Sequence, residues 1–477
     1  METYRNYING EWVESRSAKT APNLNPADPK DGIGTIRLST ADEVRAAIEA
    51  AERALPKWRS TPAPERGRII ARAQQALARR KDEVAQALTR EEGKLLKESL
   101  GEVQKSINIL EFMAGEAMRL AGETLPSELP NTFCYTLRQP IGVVAAITPW
   151  NFPVAIPCWK TSPALAAGCT VVFKPATLTP ASAKLVVECF VEAGVPAGVL
   201  NLVYGAGGEV GRVIVEHPAV RAISFTGSND VGMRLAQDGV AQGKKMQCEM
   251  GGKNPVVVLE DADLELAAEG IAQGAFGSTG QRCTATSRVV VMEAVADRLV
   301  AMIAARAPAE IGPVVDESQL KTVLGGIAEA KREGAKLVAG GGRGPGAGWF
   351  VQPTVFDHVK PSMKLAQEEL FGPVLAVLRV RSFEEAMEVA NGVKYGLTSS
   401  IYSGDPARIF RFVEGIETGM THVNSPTIGG EPQLPFGGMK ATGLGTREMG
   451  RTAIDFYTEL KTVYVDYTGR KRESNIY

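Results

Sequence analysis

Short apolar runs rich in β-branched residues recur from Gly142 onward, GVVAAI, CTVVFK, VLNLVY and AVRAISF, and stretches of helical periodicity separate them. Such runs, apolar on both alternating positions, predict strands buried on both faces of a sheet. Their alternation with helices predicts right-handed crossovers and a parallel arrangement. One intervening helix is expected between Thr179 as its N-cap and Gly194 beyond its last turn, with Pro180 in the first turn. After Gly251 the alternation restarts. NPVVVLE, SRVVVME, GPVLAVLRV, LTSSIYS and THVNS read as strands, with a long helical stretch up to Gly280 and SFEEAMEVANGV and DPARIFRFVEGI as helices. Upstream, Asn9-Gly10 in YINGEW marks a tight hairpin, and Thr40 with Glu43 forms a capping box opening an amphipathic helix through Ala41 to Arg59. Pro62 and Pro64 stop that helix, and helical periodicity continues to Leu120. NTFCYTLRQ and KTVYVDYTG alternate as strands but fit neither unit. Leftover strands often pair with another chain, so a homo-oligomer is expected.

A chain of 477 residues, 44% of them hydrophobic, holds two or three domains with large cores. With 53 basic against 54 acidic residues the net charge is -1, which leaves no electrostatic footprint for nucleic acid or an anionic membrane. No apolar run has the length of a membrane helix and METYRNYING lacks a signal-peptide layout, so the cytoplasm is the expected address. Six cysteines at scattered positions form no CxxC pair, and three isolated histidines form no metal motif, so no metal is expected. If a cysteine is a nucleophile here, its base is a carboxylate rather than a histidine.

Several loops carry chemistry. GAGGEVG, Gly205 to Gly211, meets a dinucleotide fingerprint only loosely. In AISFTGSNDVG, Gly227 and Ser228 stand between a strand and a helix. The helix N-terminus either offers N–H groups to a pyrophosphate or is an ordinary turn. Lys174 ends a strand, where open parallel sheets bind ligands, and is either a donor to a ribose or a solvated charge. The glycine-rich Ala339 to Gly348 lacks the following Lys-Ser/Thr of a phosphate loop and reads as a surface turn. GQRCTATSR places Cys283 among small residues, QCEMGGKNP places Glu249 before two glycines, and TPWNFP places Asn151 in a proline-flanked turn. A thiol, a carboxylate and an amide are the parts needed to form a covalent adduct, hold its oxyanion and activate water.

Seven ordered motifs, TPWNFP, FKPA, FTGS, EMGGKNP, GQRC, EELFGPV and PFGGMKATG, resemble those of the NAD(P)-dependent aldehyde dehydrogenases, and the likeness runs from about Tyr7 to Val465. The resemblance implies an α/β fold of two parallel-sheet domains, a Rossmann-type coenzyme domain (residues 1–120 and 140–250) and a catalytic domain (251–445). A small β bridging element (121–139 and 446–477) completes the subunit, which assembles as a dimer or tetramer. It further implies that Cys283 attacks the aldehyde carbon, that the Asn151 amide and the Cys283 N–H hold the oxyanion, and that Glu249 activates the deacylating water. Lys174 and Glu369 would bind the two riboses and Phe371 would flank the nicotinamide ribose. Gly227 and Ser228 would meet the pyrophosphate, and Thr148 and Trp150 would line the coenzyme cleft. Relatives that acylate coenzyme A generally lack the glutamate, so its presence favours release of a free acid.

Many NAD-preferring relatives carry a glutamate three residues after the ribose lysine, and this chain has Thr177 there. NADP is therefore the expected coenzyme, with NAD also accepted. Across its length the chain looks most similar to bacterial and archaeal enzymes that oxidise 2-oxoglutarate semialdehyde; succinate semialdehyde or a broader aliphatic or aromatic set is the alternative. Arg282, beside the nucleophile, either holds a substrate carboxylate or pairs with a structural one. Trp159 stands where several semialdehyde-specific relatives carry a carboxylate-binding arginine, and an aromatic there could favour a larger aldehyde. Two other classes stay open: a cysteine esterase that needs no coenzyme, and a non-catalytic binding protein.

Overall fold

The computed structural model describes residues 2–470, so residues 471–477 of the expected bridging segment lie outside the described residues. An eight-stranded sheet runs Gly443–Leu444, Lys245–Glu249, Val220–Thr226, Val143–Ile147, Thr170–Lys174, Leu200–Leu202, Asn6–Ile8, Glu11–Val13. The pairings from Lys245–Glu249 to Leu200–Leu202 are parallel. Alternate residues of Val143–Ile147 enter two different cores: Val144 and Ala146 pack with the helices Ala63–Arg79, Leu96–Ala117 and Ala155–Ala167, and Val143 and Ala145 with Ala41–Ser60 and Gly207–Glu216. That double burial is why the run shows no polar alternation.

The second sheet has seven strands in the order Lys336–Ala339, Thr354–Asp357, Val374–Val380, Thr286–Met292, Asn254–Val258, Thr398–Tyr402, Met420–Val423, parallel except at the first pairing. The end of the stretch expected in this second unit returns to the first: Gly443–Leu444 pairs antiparallel with Lys245–Glu249. The long helical stretch expected up to Gly280 stops earlier. Its helix is Leu264–Phe276, and a 3-10 turn, Gly277–Gly280, follows with Ser278 and Thr279 at left-handed φ of 49° and 56°.

Local signals have clear physical counterparts. Asn9 and Gly10 take φ of 53° and 91°, the positive pair of a tight hairpin turn. At Thr40 the capping box is complete, with Glu43 N–H donating to Thr40 Oγ1 and Thr40 N–H to Glu43 Oε2. Thr179 does precede the helix Pro180–Glu192, but its hydroxyl caps nothing. The free N–H groups of Ala181 and Ser182 instead donate to the buried Glu91 carboxylate, at 2.9 and 2.7 Å. The two leftover strands pair with each other along their length, Thr132–Pro140 against Thr458–Asp466, with Thr124–Leu125 added on one side. Among the described residues, no helix is long and apolar enough to cross a membrane and no cluster of His, Cys, Asp or Glu could hold a metal.

Candidate active site

The parallel strands of the first sheet end together: Ile147 is level with Lys174 and Phe225, and Thr226 with Glu249. Loops leaving that carboxyl edge meet loops that enter the second sheet just before Thr286–Met292 and Val374–Val380, which are neighbours in the sheet. A cavity of about 230 Å³ opens between them, lined by Trp150, Asn151, Thr226, Gly227, Ser228, Glu249, Gly251, Cys283, Glu369 and Phe371 among others. A second hollow of about 250 Å³ continues past Trp150 to Thr148, Lys174, Thr177 and Gly205, Gly207 and Gly211. Crevices at the carboxyl ends of parallel strands are where such sheets bind ligands.

The glycine pair after Glu249 permits the closure. A Cβ on Gly251 would sit 2.2 Å from Glu369 Oε2, and one on Gly252 would sit 2.7 Å from the Cys283 carbonyl oxygen. With neither present, Gly252 N–H donates to Glu369 Oε1 at 3.0 Å, and Asn254 Nδ2 holds the carbonyls of Cys283 and Ala285 at 2.7 and 2.8 Å. Phe371 takes φ of 54°, costly for an aromatic residue. Gln319 Nε2 fixes that backbone by donating to the carbonyls of Leu370 and Phe371 at 2.8 and 2.9 Å. The Phe371 ring then meets Trp150 edge-on, centroids 5.4 Å apart.

Asn151 is buried, and its Nδ2 donates to the Gln281 carbonyl at 3.1 Å, beside the cysteine. Its turn is anchored from behind. The buried Lys94 ammonium bonds to the Asn151 carbonyl and to Glu102 Oε2, and Glu102 Oε1 accepts from the N–H groups of Val154 and Ala155 where the next helix begins. Nothing in the sequence motifs pointed to Lys94, Glu102 or Gln319. Each is an ordinary polar residue of a helix or its flank until the fold brings it here.

Burial dominates the electrostatics. Glu249 is pushed well above the carboxylate range, first by burial and then by Glu448; the Lys160 ammonium and a hydrogen bond from the Cys283 thiol oppose the rise. One of its oxygens, Oε1, is buried with no partner. Cys283 is likewise pushed well above a normal thiol, by burial first, then by Glu249 and Glu369, with Lys105 acting the other way. Glu448 and Lys160 form a buried ion pair, and neither was singled out in the sequence.

Although Trp159 belongs to the apolar cluster against which Cys283 packs, two candidates are not among the residues that line the cavity. Arg282 does not reach it: Nε and Nη2 donate back to Ser278 Oγ at 3.0 and 2.8 Å, and the guanidinium lies over the Phe152 ring. The left-handed turn at Ser278 and Thr279 presents that hydroxyl to the arginine, so its hydrogen-bond partner is a serine rather than the structural carboxylate of the second reading. Trp159 is buried, its Nε1–H donating to Glu448 Oε2 at 2.8 Å and its ring against Phe436.

The second hollow suits a ribose–phosphate ligand. Burial lowers the Lys174 ammonium to about 8, and its one hydrogen bond among the described residues goes to the Pro175 carbonyl. The hydroxyls of Thr148 and Thr226 are buried without a partner. Added Cβ atoms at Gly207, Gly208 and Gly211 would meet nothing within 4 Å, so backbone here is open to close approach, and the loosely matched GAGGEVG lines the crevice after all. A cation, hydroxyls and bare backbone facing one groove are the donors that ribose and phosphate oxygens accept from.

Comparison with known proteins agrees with the geometry. The model of the aldehyde dehydrogenase family matches residues 12–463. The chain belongs to this family. It is 45% identical over 480 residues to the alpha-ketoglutaric semialdehyde dehydrogenase of Bacillus subtilis, covering 98% of each chain. To the alpha-ketoglutarate semialdehyde dehydrogenase of Haloferax volcanii it is 46% identical over 477 residues, covering 97% of this chain and 99% of the relative. The NAD-dependent aldehyde dehydrogenase structure from Sinorhizobium meliloti superposes with a TM-score of 0.96 at 34% identity, over 99% of this chain and 97% of that one. As an aldehyde dehydrogenase the protein is an NAD(P)-dependent oxidoreductase, which sets aside the coenzyme-free esterase and the non-catalytic binder.

Proposed function

We propose that the protein oxidises a semialdehyde, of the 2-oxoglutarate semialdehyde type, to the free acid, with Cys283 as nucleophile. The observation that carries this reading is the meeting in one cavity of a thiol, a carboxylate and a side-chain amide from three separate segments. The semialdehyde follows from likeness to the Bacillus and Haloferax enzymes.

Glu249 takes the proton of the Cys283 thiol, and the sulfur adds to the aldehyde carbon. The carbonyl π electrons move to oxygen, and the Asn151 amide and the Cys283 N–H hold that oxyanion. Donors preorganised in this way are worth roughly 3–4 kcal/mol each to the transition state. When bound, the oxidised coenzyme supplies the hydride acceptor. Loss of hydride from the adduct leaves a thioester on Cys283. Glu249 then passes the thiol proton to solvent, which restores the carboxylate, and because acylation has removed the thiol that donated to it, the carboxylate is free to accept a proton from water. Its burial raises its basicity for that task. Water adds to the thioester, the acid leaves, and the proton on Glu249 returns to the thiolate.

Lys174, Thr148 and Thr177 would hold the ribose farther from Cys283, Glu369 and Phe371 the nearer one, and Gly227, Ser228 and Trp150 the span between them. No acidic residue lines the hollow around Lys174 and Thr177 among the described residues. A 2′-phosphate meets no repulsion there, which supports NADP use alongside NAD. The outer edge of Thr458–Asp466 has no strand partner among the described residues, and Leu460 and Tyr464 are exposed on this element. Both features support assembly into a dimer or tetramer through this sheet.

Coenzyme reduction tests the reading directly, measured with both coenzymes over 2-oxoglutarate semialdehyde, succinate semialdehyde and benzaldehyde. Semialdehyde-dependent reduction is expected, and a failure of every aldehyde with either coenzyme would reject the reading.

A further inference from the structure

We propose that Lys105 is the cation that receives the substrate's carboxylate, and is thus the residue that makes the protein prefer a carboxylated aldehyde to a neutral one. The inference rests on the proposed aldehyde oxidation at Cys283.

Lys105 lies in the helix Leu96–Ala117, half-buried, with its ammonium 5.1 Å from the centroid of the Trp159 ring and 5.8 Å from that of Phe436. These two rings lie 5.5 Å apart at 36° and form an aromatic ledge, and the Trp159 Nε1–H bond to Glu448 fixes its orientation. On another side a turn closes in. Gly430, at φ of +157°, comes near enough that a Cβ there would be 3.5 Å from the ammonium. Half-covered by these groups, the ammonium has no hydrogen bond and no carboxylate partner among the described residues. The two other lysines around the site differ: Lys94 is paired with Glu102 and Lys160 with Glu448.

The charged neighbours of Lys105 are the Cys283 thiol, Arg282 and Glu102, and Lys105 and Cys283 each feel the other's charge. Glu102 is already engaged by Lys94 and by two backbone N–H groups. Cys283 packs against the apolar cluster that contains Trp159 and Phe436, and beside those rings the ammonium is a cation without its anion. A partly desolvated charge in that state is stabilised strongly by an incoming carboxylate. The ledge supplies what the rest of a semialdehyde needs, an apolar floor for its short methylene chain. With the aldehyde carbon at Cys283 Sγ, the chain would cross the Trp159–Phe436 ledge and the carboxylate would reach Lys105. The carboxylate-holding role that one of the two readings gave Arg282 passes to a lysine remote in sequence, because Arg282 is turned back onto Ser278.

The test compares kcat/KM for 2-oxoglutarate semialdehyde with that for pentanal, a neutral aldehyde of equal chain length, in wild type, Lys105→Met and Lys105→Arg. Lys105→Met should lower the semialdehyde-to-pentanal ratio by about 10- to 100-fold, chiefly through the semialdehyde KM, while Lys105→Arg keeps most of it. An unchanged ratio in Lys105→Met overturns the proposal, even if both activities fall, because a lysine serving only the Cys283 thiolate would affect both aldehydes alike. Wild-type protein that reduces coenzyme equally well with pentanal and the semialdehyde overturns this inference alone. Wild-type protein that oxidises neither removes the underlying reading as well.

Discussion

Replacing Gly251 with alanine isolates the close approach that shapes the proposed coenzyme cleft. The new methyl would lie 2.2 Å from Glu369 Oε2 and 3.0 Å from Asn229 Oδ1. The first separation is more than roughly 1 Å short of van der Waals contact, so the Glu369 carboxylate must withdraw. Withdrawal breaks its bond to the Gly252 N–H, now 3.0 Å long, which partly offsets the burial that raises this carboxyl to about 7. A hydrogen bond to a charged group is worth about 1.5–3 kcal/mol, and the proposed ribose contact of Glu369, of similar strength, would be displaced with it, so coenzyme affinity should fall by about 10- to 150-fold. Titrating each coenzyme against tryptophan fluorescence gives the Kd directly, with Trp150 in the cleft as reporter. A thermal melt of the same sample checks that the fold survives. A well-folded Gly251→Ala protein with wild-type affinity would refute the reasoning, because Glu369 would then have no part in holding the coenzyme.

Two further outcomes follow from the same geometry. Cys283 and Glu249 are both pushed above their ordinary ranges, and a raised pKa moves deprotonation to higher pH, so alkylation of Cys283 by iodoacetamide without coenzyme should be slow at neutral pH and climb through the alkaline range; a rate already at its plateau below neutral pH would contradict this. Thr177→Glu puts a carboxylate into the hollow beside Lys174 and should cut kcat/KM for NADP by at least about 10-fold while sparing NAD, which a comparison of both coenzymes at fixed aldehyde would check.

Much of the fold was legible because it rests on local chemistry. Val143–Ile147 showed itself as a doubly buried strand, Thr40 and Glu43 as a cap, and Asn9-Gly10 as a turn. Lys174 was legible as the end of an apolar strand, and Gly227 and Ser228 as the turn between a strand and a helix. What escaped depends on contacts distant in sequence. Glu91 caps a helix that begins 89 positions later, at Pro180, a service no N-cap pattern can display. The bend at Ser278 and Thr279 uses left-handed backbone at residues that rarely adopt it, so the direction of Arg282 could not be read from its place next to Cys283. Lys105 is one polar position of an amphipathic helix, and only Trp159, Phe436 and Gly430 give it a setting. The leftover strands illustrate the converse: both were seen as strands, but their partner turned out to be each other.

The central claim is that Cys283 carries the acyl group and Glu249 releases it, and Glu249→Gln tests this most directly. Mixing the variant with coenzyme and semialdehyde should give a burst of reduced coenzyme equal to the concentration of active sites. Turnover should then stall by at least about 100-fold, with the mass of the acyl group found on the peptide containing Cys283. Sustained turnover at the wild-type rate, or a burst with no adduct on Cys283, would contradict the account.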